Sequence, residues 1–141
     1  MSTKGFTLVE LMLTVSVLGI LAAIVSIRAN EALRRSQEAM TKSNLATLRL
    51  ALSVYVATNG TSPTVLQDVT TQTDPVMTQI PYKWTPPYHP KGNSVTNGPI
   101  SSLATSHGDW FYFSSRDDSE YGKVIVNCNH QDIKGKNWDR Y

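Results

Sequence analysis

From Phe6 to Ile27 the chain is interrupted only by Thr7, Glu10, Thr14, Ser16, Gly19 and Ser26, so that 16 of these 22 residues are apolar. A helix needs roughly 20 such residues to cross the hydrocarbon core of a bilayer. Of the six interruptions only Glu10 is ionisable. A carboxylate costs roughly 2.5–3.5 kcal/mol at the centre of a span and less near its end, so its presence points to a functional site whose partner has to be found. Just Met1, Ser2, Thr3, Lys4 and Gly5 stand ahead of the run.

The 141 residues are 40% hydrophobic and 17% charged, too apolar for wholesale disorder and about the size of one modest domain. A formal charge of +2 without a basic block gives no electrostatic footprint for nucleic acid. The single cysteine, Cys128, excludes an intramolecular disulfide framework and any Cys-rich zinc module.

Two ordinary readings of the N-terminus fall short. A secretory signal peptide has a positive start, an apolar stretch of about 7–15 residues and a small-residue cleavage site. Here the start holds only Lys4, the run is longer and carries Glu10, and Val25-Ser26-Ile27-Arg28-Ala29-Asn30 offers a weak match at Ala29. A plain single-span anchor, with Lys4 holding the N-terminus in the cytoplasm, explains the length but has no use for the carboxylate.

The residues Lys4-Gly5-Phe6-Thr7-Leu8-Val9-Glu10-Leu11-Met12-Leu13, followed by Leu18-Gly19-Ile20-Leu21-Ala22-Ala23-Ile24, resemble the prepilin signature of type IV pilins and type II secretion pseudopilins. The resemblance is close over 4–27 and looser along the helix to Thr58. It implies that a membrane aspartyl peptidase cuts after Gly5, that the new amino-terminal Phe6 is N-methylated, and that Glu10 serves assembly. Its physical content is an ion pair: cleavage makes a cationic α-amine on Phe6, and Glu10 of a neighbouring subunit meets it when two spans align with an axial offset. Neither charge is stable alone in low dielectric, so pairing favours docking in one register. Gly19, Ala22, Ala23 and Ser26 give the span small residues at spacings of three and four for close helix packing. Ile27 stands where many family members carry proline, so a mechanical weak point in the helix rests on Gly19 or is absent.

Beyond Ile27 no proline or glycine occurs before Gly60, which predicts a helix continuing to Thr58 and stopped by Asn59-Gly60. Residues 6–58 would make one helix of about 80 Å. Leu33, Met40, Leu45, Leu48, Leu52 and Tyr55 form an imperfect apolar stripe that would lie on a compact head. Glu31–Arg35 and Glu38–Lys42 have favourable i,i+4 spacing on a solvated face.

All seven prolines fall between Gly60 and Gly108, a loop-rich stretch with one helical turn expected around Val65–Val69. Trp110-Phe111-Tyr112-Phe113 and Lys123-Val124-Ile125-Val126-Asn127-Cys128 read as a hairpin across a polar Ser114–Gly122 turn, with a third strand expected in 77–84. The expected architecture is therefore α+β: a leader at 1–5, a transmembrane assembly helix at 6–27, an amphipathic stem at 28–59, and a head at 60–141 built on a small antiparallel sheet. Trp84, Trp110 and Trp138 are expected as core or edge aromatics, and Cys128 as a buried apolar residue at a strand end.

No metal site or other cofactor is expected. Asp109, Asp117, Asp118, Glu120 and Asp132 offer oxygen ligands for calcium, which the pseudopilin resemblance keeps as a lesser candidate, but they lack an Asp-x-Asp-x-Asp-Gly spacing. His89, His107 and His130 lack zinc spacing. There is no phosphate loop, nucleophile elbow or clustered acid–base pair, so an enzyme is not expected.

The function expected from the resemblance is a structural subunit of a type IV pilus or type II secretion pseudopilus. It would sit in the bacterial inner membrane as a single-pass protein with its N-terminus cytoplasmic, then enter a helical homo-oligomeric filament in the periplasm or outside the cell. The implied partners are membrane lipid, a prepilin peptidase and methyltransferase, an assembly ATPase with its platform protein, and an outer-membrane secretin for some systems. No nucleic-acid partner is expected. The alternative is a membrane-anchored minor pilin whose head adheres to surfaces or captures DNA.

Overall fold

The fold was established in a computed structural model that describes residues 5–103 and 107–141. Leader positions Met1 to Lys4 lie outside the described residues. The chain divides into two compact units, Met1–Arg35 and Ser36–Tyr141. Helix α1, Leu8–Asn59, contributes to both. Helical backbone passes through Gly19 and Ile27 without interruption, as expected where no proline removes a hydrogen bond. The helix ends as the Asn59-Gly60 pair predicts. Gly60 adopts φ 73°, a left-handed conformation that a glycine enters without steric penalty, and its N–H closes on Val56 O at 2.8 Å.

The second unit holds two small sheets. The expected hairpin is present: β4 (Trp110–Phe113) and β5 (Val124–Val126) pair antiparallel, with Trp110 opposite Val126 and Tyr112 opposite Val124. All four residues of β4 are buried, so both faces of this strand are covered. The expected third strand falls elsewhere. Residues Lys83–Thr85 do form a strand, β1, but it pairs with β2 (His89–Gly92) in a separate two-stranded sheet. The strand that completes the larger sheet is β3, Val95–Gly98, and it runs parallel to β4. The larger sheet is therefore mixed rather than antiparallel.

In the sequence β3 is marked by one apolar residue, Val95. It is held by its neighbours: Asn97 Oδ1 accepts from Leu66 N at 2.8 Å, and Gly98 is buried where an added Cβ would come within 2.3 Å of Ser102 Oγ. The short helix α2, Asp68–Thr71, begins slightly later than expected. Asp68 Oδ2 accepts from the backbone N–H groups of Thr64 and Val65 at 3.1 and 3.2 Å, which fixes the turn leading into it.

Within this unit Leu45, Leu48, Leu52 and Tyr55 pack on Trp110, Tyr112, Val124 and Val126, with Leu66, Val69, Cys128 and Trp138 closing the core. The buried stripe of α1 differs from the apolar one expected. Leu33 is 58% exposed, Met40 is half-buried, and their places are taken by Glu38 and Thr41. The true series, Glu38, Thr41, Leu45, Leu48, Leu52 and Tyr55, steps regularly by three and four. Its two polar members are buried because the head supplies their partners. The Glu38 carboxylate accepts from Ile133 N at 3.1 and 3.0 Å, and Thr41 Oγ1 both accepts from Trp84 N and donates to Trp84 O at 2.7 Å. Thr41→Val keeps the shape but leaves both backbone groups of Trp84 unpaired, a loss of about 1–3 kcal/mol. Thermal unfolding should show a lower Tm for this variant and an unchanged one for Thr47→Val on the exposed face; equal Tm values would remove Thr41 from the head's stability.

Candidate functional site

Gly5, Phe6 and Thr7 are exposed and precede the helix. Thr7 caps it. Its Oγ1 accepts from Glu10 N at 3.2 Å, while Glu10 Oε2 accepts from Thr7 N at 3.2 Å and from Thr7 Oγ1 at 3.0 Å. This reciprocal pair is a capping box, satisfying two N-terminal N–H groups that have no partner within the helix. The sequence carries the required Thr-x-x-Glu spacing, but the apolar run hides it by suggesting that the helix begins at Phe6. Glu10 therefore has a local partner in the isolated chain, and Phe6, 69% exposed, lies beside it in sequence at the same end.

Two hydroxyls further along the run are turned inward on the helix. Thr14 Oγ1 donates to Leu11 O and Ser16 Oγ to Met12 O, each at 2.8 Å, so these side chains carry no unmet donor into an apolar medium. Glu10 is left as the one formal charge between Phe6 and Ile27. Every residue from Gly5 to Asn30 is exposed, including Gly19, Ala22, Ala23 and Ser26. An added Cβ at Gly19 meets nothing within 4 Å, so that flank of the helix is open to a neighbour. The most apolar 18-residue window has a mean hydropathy of 2.5 and is 0% buried. By length and composition this helix can cross a membrane, which is consistent with membrane anchoring.

The charged residues that follow split between two uses. Glu31 pairs with Arg35 at 2.5 Å, as the spacing predicts, and with Arg28 at 3.8 Å. Lys42 instead reaches Asp132 and the Tyr141 hydroxyl, and Glu38 is buried rather than solvated. Most of the carboxylates weighed for calcium are engaged by other partners. Asp109 accepts from Thr96, Asp118 from Ile100 N at 2.7 Å, Glu120 pairs with Lys123 at 2.7 Å, Asp132 is occupied by Lys42 and Tyr141, and Asp117 is exposed.

Three other residues do converge. One ring nitrogen each from His89 and His130 and the Cys128 sulphur lie within 4.8 Å of one another. Cys128 is buried as expected, but its Sγ lies 3.3 Å from His130 Nδ1 rather than against purely apolar surroundings. Burial pushes the Cys128 thiol up and, with the charge of Lys83 nearby, pulls His89 down. Sequence spacing does not reveal this group, because His89 arrives from β2, far from Cys128 in the chain. The Cys128-x-His130 step was its only local sign.

Comparison with known proteins bears on the N-terminal end alone. No curated protein and no solved structure matches the chain. Residues 1–26 match the prokaryotic N-terminal methylation motif, the signature of type IV pilins and pseudopilins, and this motif indicates a type IV pilin-like precursor.

Proposed function

We propose that the chain is a structural subunit of a type IV pilus or a type II secretion pseudopilus, cut after Gly5, methylated on Phe6 and polymerised through the first part of α1. The carrying observation is the methylation motif at residues 1–26 together with a single carboxylate, Glu10, one turn inside an exposed apolar helix. The non-helical, exposed Gly5-Phe6-Thr7 segment suits a peptidase, which binds extended backbone. The exposed apolar flank suits lipid before assembly and identical helices after it.

On this reading the partners are a prepilin peptidase and methyltransferase, an assembly ATPase with its platform protein, further copies of the chain, and a secretin where the filament works beneath an outer membrane. The subunit waits in the inner membrane with its N-terminus in the cytoplasm and its head outside. On this reading the chain has a structural rather than an enzymatic role, and the filament is its product.

The cut site is tested by the intact mass of the chain purified from its native host. A mature chain beginning at N-methyl-Phe6 is expected, and Gly5→Val should accumulate uncut precursor. An N-terminus at Met1, or one beyond residue 25, would refute the processing and with it the Phe6 amine on which assembly depends.

A further inference from the structure

We propose that His89, Cys128 and His130 form a binding site for one divalent transition-metal ion of the zinc class, with the fourth position left to water. The site joins the two sheets of the head. His89 opens β2, whereas Cys128 and His130 lie in the loop that follows β5. Sulphur and imidazole are the donors that borderline-soft ions such as Zn²⁺ select, and calcium and magnesium do not.

The geometry is close to that of a loaded site. Tetrahedral bonds of about 2.0–2.3 Å place ligand atoms about 3.3–3.6 Å apart. Cys128 Sγ and His130 Nδ1 are already 3.3 Å apart, and within the trio the widest separation is 4.8 Å, so closure asks for a shift of about an ångström by a side chain. His89 Nε2 gives an independent sign. It is buried without a hydrogen-bond partner, an unfavourable condition unless something occupies the lone pair or proton.

The surroundings hold the trio in place. Gly108 takes φ 60°, and a Cβ there would fall 2.2 Å from His89 Cγ, so this glycine leaves the room that the imidazole fills. The His130 ring stacks on Tyr88 at 3.9 Å. Backbone carbonyls of Cys128 and His130 accept from Asp139 N at 3.0 Å and Trp138 N at 3.1 Å, tying both donors to the turn at Trp138–Arg140. Among nearby charges, buried Lys83 and buried Asp109 act on His89 with opposite sign, Lys83 the more strongly. His130 is half-buried, which gives water access to the fourth position.

The test uses the untagged full chain in detergent, stripped with a chelator and then titrated with Zn²⁺, or with Co²⁺ as a spectroscopic probe. One ion per chain is expected, with the near-ultraviolet charge-transfer band of a cobalt–thiolate bond, and a rise in Tm on adding Zn²⁺. Cys128→Ser should lose that band. His130→Gln, at a position less committed to the core, should weaken Zn²⁺ binding by more than the ~10–100-fold that loss of an outer-shell partner costs. Near-ultraviolet circular dichroism of the metal-free variants checks that the head is folded. Absence of stoichiometric Zn²⁺ binding by the folded wild type, or equal affinity in folded His130→Gln, would overturn the site. Neither result touches the filament reading, which rests on Phe6 and Glu10.

Discussion

Glu10→Ala is expected to insert into the membrane and lose its leader normally, yet to yield no filaments. The reason is a change of partner during assembly. In the single chain the carboxylate is held by Thr7, which donates from its N–H and its hydroxyl. Those are neutral donors, and they leave the negative charge uncompensated in a medium where an isolated ion is costly. On the proposed reading, trimming after Gly5 puts a cation on Phe6, and the amine of one subunit meets Glu10 of the next. Removing one member of a buried pair costs on the order of 3–5 kcal/mol. Each 1.4 kcal/mol is a factor of ten in association, so polymerisation should weaken more than about 100-fold.

Alanine alone does not separate charge from capping, because it removes both. Glu10→Gln does. Glutamine serves the N3 position of a capping box almost as well as glutamate, so helix entry survives, but it brings no negative charge. Filament yield by electron microscopy and sheared-surface fractions should therefore be as low for Glu10→Gln as for Glu10→Ala, with trimmed monomer accumulating in both. Normal filaments from Glu10→Gln would show that the cap is what matters and would end the ion-pair mechanism. Thr7→Val supplies the converse, since it removes the hydroxyl from the cap but keeps the charge; it should assemble, with a frayed first turn.

The parts of this fold that rest on local physics are legible in the sequence. The long apolar run, the Asn59-Gly60 stop and the hairpin of Trp110–Phe113 with Val124–Val126 follow from length, conformational freedom and β-branched or aromatic content. What escapes is whatever the fold decides at long range. Glu38 and Thr41 sit on the buried stripe because Ile133 and Trp84 offer them hydrogen bonds, and no periodicity of apolar residues can show that. Strand β3 is recruited by pairing with β4 although Val95-Thr96-Asn97-Gly98 has little strand character of its own. His89 is brought to Cys128 and His130 by the packing of two sheets, which spacing along the chain does not record. At the N-terminus the methylation motif stands out because it is a contiguous run of residues, whereas Asp118 and Glu120, close together in the sequence, are engaged separately by Ile100 N and Lys123.

Asp132→Asn should destabilise the head by about 3 kcal/mol, the lower end of what breaking a buried ion pair costs. Asp132 is fully buried at its side chain and Lys42 is 28% exposed, so solvent screens their contact little. Tyr141 OH donates to the same carboxylate oxygen at 2.6 Å and accepts from Lys42 Nζ at 2.9 Å, while Asp132 Oδ1 accepts from Lys134 N and Lys136 N at 2.9 Å. Burial alone would raise the Asp132 carboxyl; the bonds from Lys42, Tyr141 and the two backbone N–H groups outweigh it and hold the group well below the usual carboxylate range. A carboxyl with a depressed folded pKa stabilises fully above its ordinary value of about 3.9, and that stabilisation is lost as pH falls through the folded value. Urea unfolding of wild type and variant should therefore differ most near neutral pH, with the gap narrowing once pH drops below about 4. A gap that stays constant into acid would mean that asparagine fails for reasons of packing, and that the charge on Asp132 contributes nothing to fastening the head onto the second half of α1.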